Sequence, residues 1–462
     1  MADKDKDSKD FLDHAEKALI EHWPWFLLAI SAFLLWKYNL FGSFIEEFVF
    51  PLAGTIFLGY IAWKLWIHYI QQDFISGIDF VVLEIIPPRD VERSPKAMEL
   101  FLTNALYHWS NKGGREEYWQ GAVWFWFSLE IASIDGQVHF YIRTPTRVRG
   151  LIETQMYAQY PQAQVKVVED YTLAVDEISP KSAWNGWGCE FMLQKPEAFP
   201  LKTYVDYGLD KDPKEQFKVD PISPVVELFG SLKKGEQMWM QIVVTPSKKM
   251  WRTHGTLFGK HDWVKQTQIV IEDMLEPYTR TQQGKKGDTA LEIRPPDFLK
   301  NALTSMNLKT AKLGFETGIR VFYVAPKEIY DMSSRRNLRL VFRQYAKPDC
   351  NQLERTNSTQ GDAYSGVFSA SPNTVMMLAN RMLNEFRERS FFHNPMRHHL
   401  FSKATVPWPF SGIFKAYFHQ HTFVLNVEEI ATLWHFPGQI LKVPTLERIE
   451  SKEASPPTNL PM

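Results

Sequence analysis

Hydrophobic residues change their spacing twice along this chain of 462 residues. Near the N-terminus they run almost unbroken through Trp23–Phe41 and again through Phe48–Ile70. Crossing a bilayer takes about 20 mostly apolar residues of helix, and both stretches reach that length. Each carries one lysine, Lys37 or Lys64, near enough to an end for its ammonium to reach the headgroups. Trp23, Trp25, Trp36, Trp63 and Trp66 fall where an interfacial aromatic belt belongs. Residues 1–22 are too long and acidic for a signal-peptide n-region, and no small-residue cleavage site follows. The pattern predicts a transmembrane helical hairpin over 23–70 behind an N-terminal tail, 1–22, with one span plus an interfacial helix as the alternative. The link Gly42–Glu47 has two carboxylates and no Lys or Arg, whereas the tail carries Lys4, Lys6, Lys9 and Lys17. Because Lys and Arg stay on the cytoplasmic side, both ends are expected there. This implies two spans in the inner membrane, with the body cytoplasmic from about Gln71.

Beyond the hairpin the period alternates between 2 and 3.6. Asp79–Pro88 is a β-rich run stopped by prolines, and Ser94-Pro95 suits the start of a helix through "KAMELFLTNALYHW". Trp126–Pro145 holds two alternating runs around Asp135-Gly136, a strong hairpin signal. A helix ending at Pro161 and a strand in Ala163–Tyr171 complete β-α-β-β-α-β over 78–172, with Ser110–Gly121 as an insertion. A looser second copy is expected over 184–432: strands at "GCEFMLQ", "EQMWMQIVVTP" and "GFETGIRVFYVAP", and helices at "SPVVELFGSL" and "KEIYDMSSRRNLRLVFRQYA". Helical patterns from Lys260 to Leu313 are broken by "TRTQQGKKGDTA", which reads as flexible. "NQLERTNSTQGDAYSGVFSASPNT" reads as a loop, a helix follows around Val375–Arg389, and Thr422–Asn426 is expected to close the sheet. A Pro-rich linker or tail occupies 433–462. The fold class is α+β: a transmembrane helical hairpin followed by tandem ferredoxin-like (βαββαβ) sandwich domains, the second with insertions.

Composition narrows the chemistry. With 52 Lys and Arg against 53 Asp and Glu, nucleic-acid binding would require a local patch. Two distant cysteines, Cys189 and Cys350, argue against a disulfide framework or a zinc ribbon and suit a reducing compartment. "HGTLFGKHDW" resembles a phosphate loop, but its glycines are one residue too close and His261 replaces the magnesium-binding hydroxyl. A glycine-punctuated loop before a helix is the better reading. His393, His398, His399, His419, His421 and His435 lack spacing that brings three imidazoles together, so surface or capping roles are expected over a zinc site. No catalytic residue, metal ligand or cofactor is assigned. On a continuous helix Arg335, Arg336, Arg339 and Arg343 share one arc, with Leu338, Val341, Phe342 and Tyr345 on the next, facing a core. A solvated face is the plain reading; a subunit or phosphate contact is the sharper one.

Two quoted stretches also resemble a known family. "FSLEIASIDGQVHFYIRTPTRVRGLIETQMYAQYPQAQVKVVEDYT" is similar to the N-terminal region of membrane-anchored proteins related to the coupling ATPases of type IV secretion and conjugation. These are TraG/TraD-like members of the HerA–FtsK superfamily, here in versions from candidate-phyla bacteria. "FVLNVEEIATLWHFPGQILKVPTLERIESKEASPPTNLP" resembles the segment that joins their N-terminal module to the ATPase domain. The resemblance implies a non-catalytic, membrane-anchored assembly or adaptor module of a type IV secretion or conjugative DNA-transfer apparatus. It would serve a P-loop ATPase encoded separately or lost from a shortened gene. Implied partners are that ATPase, other membrane subunits of the apparatus, the lipid bilayer, DNA and further copies of the chain. The alternatives are a membrane-tethered nucleic-acid-binding protein, using the arginine arc with Lys248, Lys249 and Arg252, and a metal hydrolase using the late histidines.

Overall fold

A computed structural model describes residues 31, 33, 50–88, 94–107, 112–211, 219–253, 259–283, 289–293, 295–359, 372–393 and 421–438. The second apolar stretch is a single helix, α1 (Phe50–Ser76). The first, Trp23–Phe41, lies outside the described residues except for Ser31 and Phe33, both helical, so the structure describes one apolar helix and not the expected hairpin.

After α1 the chain forms β1 (Phe80–Ile86), α2 (Pro95–Leu106), the short α3 (Gly114–Tyr118), β2 (Phe127–Ile134), β3 (Gln137–Pro145), α4 (Arg149–Gln159) and β4 (Gln164–Val168). Ser94 caps α2 by accepting from the Lys96 N–H, with Pro95 in the first turn where no amide donor is needed. Asp135 and Gly136 both have positive φ, as a type I′ hairpin demands, and antiparallel β2–β3 pairing follows in register from Ile134↔Gln137. Then come β5 (Trp184–Leu193), α5 (Ser223–Gly230), β6 (Gln237–Pro246), β7 (Met250–Arg252), β8 (Lys260–Asp262), α6 (Trp263–Leu275), β9 (Thr279–Gln283), β10 (Thr289–Ile293), α7 (Asp297–Thr310) and β11 (Gly314–Pro326). The chain continues with α8 (Met332–Leu338), β12 (Leu353–Thr356), α9 (Pro372–Glu388), β13 (Phe423–Asn426) and α10 (Val427–Leu433).

Nine strands make one antiparallel sheet in the order β12-β5-β11-β6-β2-β3-β1-β4, with β13 beside the start of β11. The order reads the same outward from the central β6–β2 pair in both directions. Pairing of β2 with β6 fuses the two expected domains, 78–172 and 184–432, into one sheet over a shared core. The closing position beside β5 belongs to β12, not to Thr422–Asn426, and β12 lies in a stretch that reads as a loop. "TRTQQ", read as flexible, is β9 of a two-stranded ribbon with β10.

One face of the sheet carries the larger core. Phe127, Leu129 and Ile131 of β2, and Met240, Ile242 and Val244 of β6, pack under the apolar stripe of α2, Met98, Phe101, Leu102, Ala105 and Leu106. Each such side chain contributes roughly 1.5–3 kcal/mol on burial. The expected tail also joins this face. Trp434 is fully buried and donates from Nε1 to the Glu130 carbonyl at 3.2 Å, and Phe436 packs edge-on against Phe140 and Tyr160. The packed chain therefore runs past 433 to Phe436, and 439–462 lies outside the described residues.

Alternation alone assigns the other face to water; α9 covers it instead, through Leu378, Ala379, Met382, Leu383 and Phe386. The polar residues that alternation points there are consequently buried. Glu130, Gln241, Arg320 and Glu190 are direct cross-strand neighbours on β2, β6, β11 and β5. Arg320 donates to Glu190 at 2.6 Å, to the Gln241 side chain at 3.3 Å, and to the carbonyls of Glu385 and Ser390 at 2.8 and 3.2 Å. Arg389, in the left-handed region just past α9, donates to Glu130 at 2.9 and 3.1 Å and to Asp170. Burial alone would raise Asp170, but Arg389 outweighs it and holds the carboxyl below its usual range.

Candidate membrane-proximal site

The first part of α1, up to Tyr69, is mostly exposed. An 18-residue window of this helix is long and apolar enough to cross a membrane, and none of that window is buried. From Phe50 to Tyr69 the helix is about 30 Å long, the thickness of a hydrocarbon core. Its aromatic residues then meet α3. Trp63 stacks on Tyr118, Trp66 lies edge-on to Trp119, and Trp66 Nε1 donates to the Tyr118 carbonyl at 3.3 Å. Tyr69 and Trp119 are each 66% exposed. Rings with one apolar body and one polar edge suit a membrane–water boundary.

Past this belt, α1 enters the body. Ile70 is buried, and Phe74 and Ile75 pack on Val123, Trp126, Val243 and Phe391 at one end of the sheet. At the junction Gly121 has positive φ and sits directly against the backbone of Ile70.

Cations gather at the same end. A cavity of about 540 Å³ is lined by Phe74, Lys112, Gln120, Trp124, Phe125 and Arg147, among others. Lys112 and Lys248 share the Trp124 ring at 5.5 and 3.3 Å, and Arg147 lies over Phe125 at 4.2 Å. Burial, then the charges of Lys248 and Arg147, push Lys112 down to about 8, against the pull of Glu116 and Glu117. A neighbouring cavity of about 750 Å³ holds Lys248, Lys249, Lys312, Glu99 and Asp262. Its cations are engaged: Lys312 pairs with Glu99 and Glu428 at 2.8 and 2.6 Å, and Lys249 with Glu197.

The arginines singled out by sequence lie elsewhere and do not form one helical face. α8 ends at Leu338, Arg339 follows it, and Arg343 opens a separate 3-10 turn. The bend lets Leu338, Val341, Phe342 and Tyr345 enter the core, as their spacing predicts. Arg336, Arg339 and Arg343 are exposed, while Arg335 lies over the Trp187 ring at 5.9 Å. Of the phosphate-loop look-alike, Lys260 and His261 stand on β8, and His261 is buried between Thr253 and Gln266. The described late histidines do not share a site. His435 is buried, not on the surface: it pairs with Asp220 at 2.9 Å, and its Nδ1 bonds the Ala431 carbonyl at 2.9 Å at the end of α10, which fits the capping alternative; His398, His399 and His419 lie outside the described residues. Among the described residues, no group of three His, Cys, Asp or Glu side chains is placed to hold a metal ion.

His393 is half-buried. It lies 5.7 Å from Trp126, and burial, then Lys112 and His68, push its pKa down to about 4. The unfolded chain, near 6.5, takes up the proton first. Stability is whole above about pH 6.5 and falls toward pH 4 by up to about 1.4 kcal/mol per unit. His393→Phe is expected to flatten that acid-side loss, read by thermal melts at pH 7.5 and 5; an unchanged slope would assign it to other groups.

Sequence reasoning named Lys248 but missed Lys112, Arg147 and Trp124. The available signal was the aromatic run in "YWQGAVWFWF" beside Lys112.

These features define an α+β protein with one antiparallel sheet and a candidate membrane-spanning helix at its N-terminal side. The chain belongs to the family described as Domain of unknown function (DUF8128), matched over residues 81–447, which take in both halves of the sheet and leave out α1. No curated protein and no solved structure matches it.

Proposed function

We propose that this protein is a non-catalytic, membrane-anchored assembly module whose two sheet halves are tandem ferredoxin-like units. The observation that carries the anchoring is α1: unburied over a bilayer's length, then locked into the body at Ile70–Ile75. The tandem reading rests on strand order, since β4-β1-β3-β2 and β12-β5-β11-β6 repeat one arrangement, each with helices after its first and third strands. In the second unit β7 to α7 are the insertion. The body stands at the inner membrane, on its cytoplasmic side, anchored by two spans. It serves a separate P-loop ATPase of the HerA–FtsK or TraG-like class, the partner that the sequence resemblance implies. Fold alone does not assign that partner, so the test must identify it directly.

Membranes washed with alkaline carbonate are expected to retain the full chain. Gentle solubilisation and pull-down are then expected to recover a near-stoichiometric P-loop ATPase. Release by carbonate would overturn the anchoring, and recovery without an ATPase would overturn the partner. A second reading rests on the exposed Arg336, Arg339 and Arg343. It makes the chain a tethered nucleic-acid binder, and DNA in the pull-down without an ATPase would favour it.

A further inference from the structure

We propose that the cavity between α1 and the sheet end binds the phosphate of an anionic phospholipid headgroup, held by Lys112 and Arg147, with Lys248 alongside on the Trp124 ring. This rests on the anchoring reading and goes beyond it, because anchoring by an apolar helix requires no particular lipid.

Three observations converge. The first is position. The lining includes Gln120, next to Trp119 of the aromatic belt, and Phe74, eight residues past Trp66, about 12 Å along the helix. That places the cavity at the level where headgroups meet the body.

The second is charge. Lys112 and Arg147 have no carboxylate within ion-pair distance among the described residues; their contacts are the rings of Phe74, Trp124 and Phe125. Glu116, which also lines the cavity, and Glu117 offset part of this charge and leave it net positive. Glu116 accepts from the Gly113 N–H at 3.1 Å at the start of α3, and Glu117 is exposed. Cations held together on apolar walls repel one another, and a bound anion relieves this.

The third is shape. About 540 Å³ lies within the usual range of small-ligand sites, and Phe74, Leu106, Val123, Phe125 and Pro246 offer apolar wall beside the cations. A headgroup that continues into glycerol and acyl chain matches that mixture better than a free ion does.

The test uses the full chain in mild detergent, with native mass spectrometry in equimolar phosphatidylglycerol and phosphatidylcholine. The wild type is expected to retain phosphatidylglycerol preferentially. Lys112→Gln with Arg147→Gln is expected to lower that retention roughly tenfold to thirtyfold, as each cation near a lipid surface is worth about fivefold or somewhat less. Lys112→Arg with Arg147→Lys should keep it, and Lys166→Gln, on the edge strand β4, should leave it unchanged. Equal retention by the Gln double variant, folded by circular dichroism, would overturn the proposal. So would equally tight, Lys112-dependent binding of free glycerol phosphate to the delipidated protein, which makes the ligand a soluble phosphate ester. Binding of a short DNA strand lost in the same variant would overturn it in favour of nucleic acid. A chain that survives carbonate washing but shows no phosphatidylglycerol preference fails here while the anchoring reading stands.

Discussion

Arg320→Met is expected to destabilise the body by about 3–5 kcal/mol, the usual cost of removing one partner from a buried ionic cluster. Arg320 is fully buried, and Glu190 and Glu385 on either side of its guanidinium are each about 1% exposed. Methionine fills much of the same space, so the loss is electrostatic more than steric. Glu385 keeps Arg381 at 2.9 Å and Glu190 keeps the Asn357 amide at 2.6 Å, but the charge between them is gone. Burial already raises Glu385, and the charge of Glu190 raises it further against Arg320 and Arg381. Without Arg320 one carboxyl is expected to fold protonated. A raised folded pKa contributes stability at low pH that is lost as pH rises, so the deficit should narrow between pH 7 and 5. Replacing the pair, Arg320→Met with Glu190→Met, should recover most of the loss, because paired apolar substitutes are often neutral. Denaturant melts of the full chain in detergent measure all three. A single-variant loss under about 1 kcal/mol would mean that water reaches the cluster.

That cluster marks where sequence reading reaches its limit. "FSLEIASI" declares its strand through Phe127, Leu129 and Ile131, and the alternation is correct. It also labels Ser128 and Glu130 as the wet face, because α9, which covers them, lies about 250 residues downstream. Local pattern shows which residues share a face but not what lies over it. β12 was hidden for a related reason: "LERT" is a short, half-exposed edge strand with little apolar signal. The arginine arc shows the opposite error. Its apolar positions are right, but the helix stops at Leu338 and a separate 3-10 turn starts at Arg343, so the four arginines do not stand on one continuous helix. Lys112 and Arg147 of the cavity and the neighbouring Lys248 come from before β2, after β3 and after β6. Only the strand order brings them to one end of the sheet.

Gly121→Ala is expected to unseat α1 from the body while leaving the proposed membrane anchoring intact. Gly121 has φ +65°, and a Cβ there would lie 2.1 Å from the Ile70 carbonyl oxygen and 2.7 Å from the Gln71 nitrogen. Both are backbone atoms within a helix, so no side chain can rotate away. The left-handed conformation alone costs a non-glycine residue about 1–2 kcal/mol. The clash adds to this unless α1 shifts, and shifting breaks the packing of Phe74 and Ile75 on Trp126 and Phe391. The apolar span N-terminal to this point is untouched, so carbonate-resistant membrane association should persist. Hydrogen exchange in 68–76 and 121–127 should rise at least tenfold, and proteolysis should open between α1 and β1. Distant elements such as the β5–β11 pair should keep wild-type protection. Unchanged exchange at the junction would show that α1 does not sit against Gly121 in the membrane. The same variant bears on the lipid cavity, whose wall includes Phe74. Loss of phosphatidylglycerol retention in Gly121→Ala, with Lys112 and Arg147 intact, would show that the headgroup site depends on how the anchor is seated and not on the cations alone.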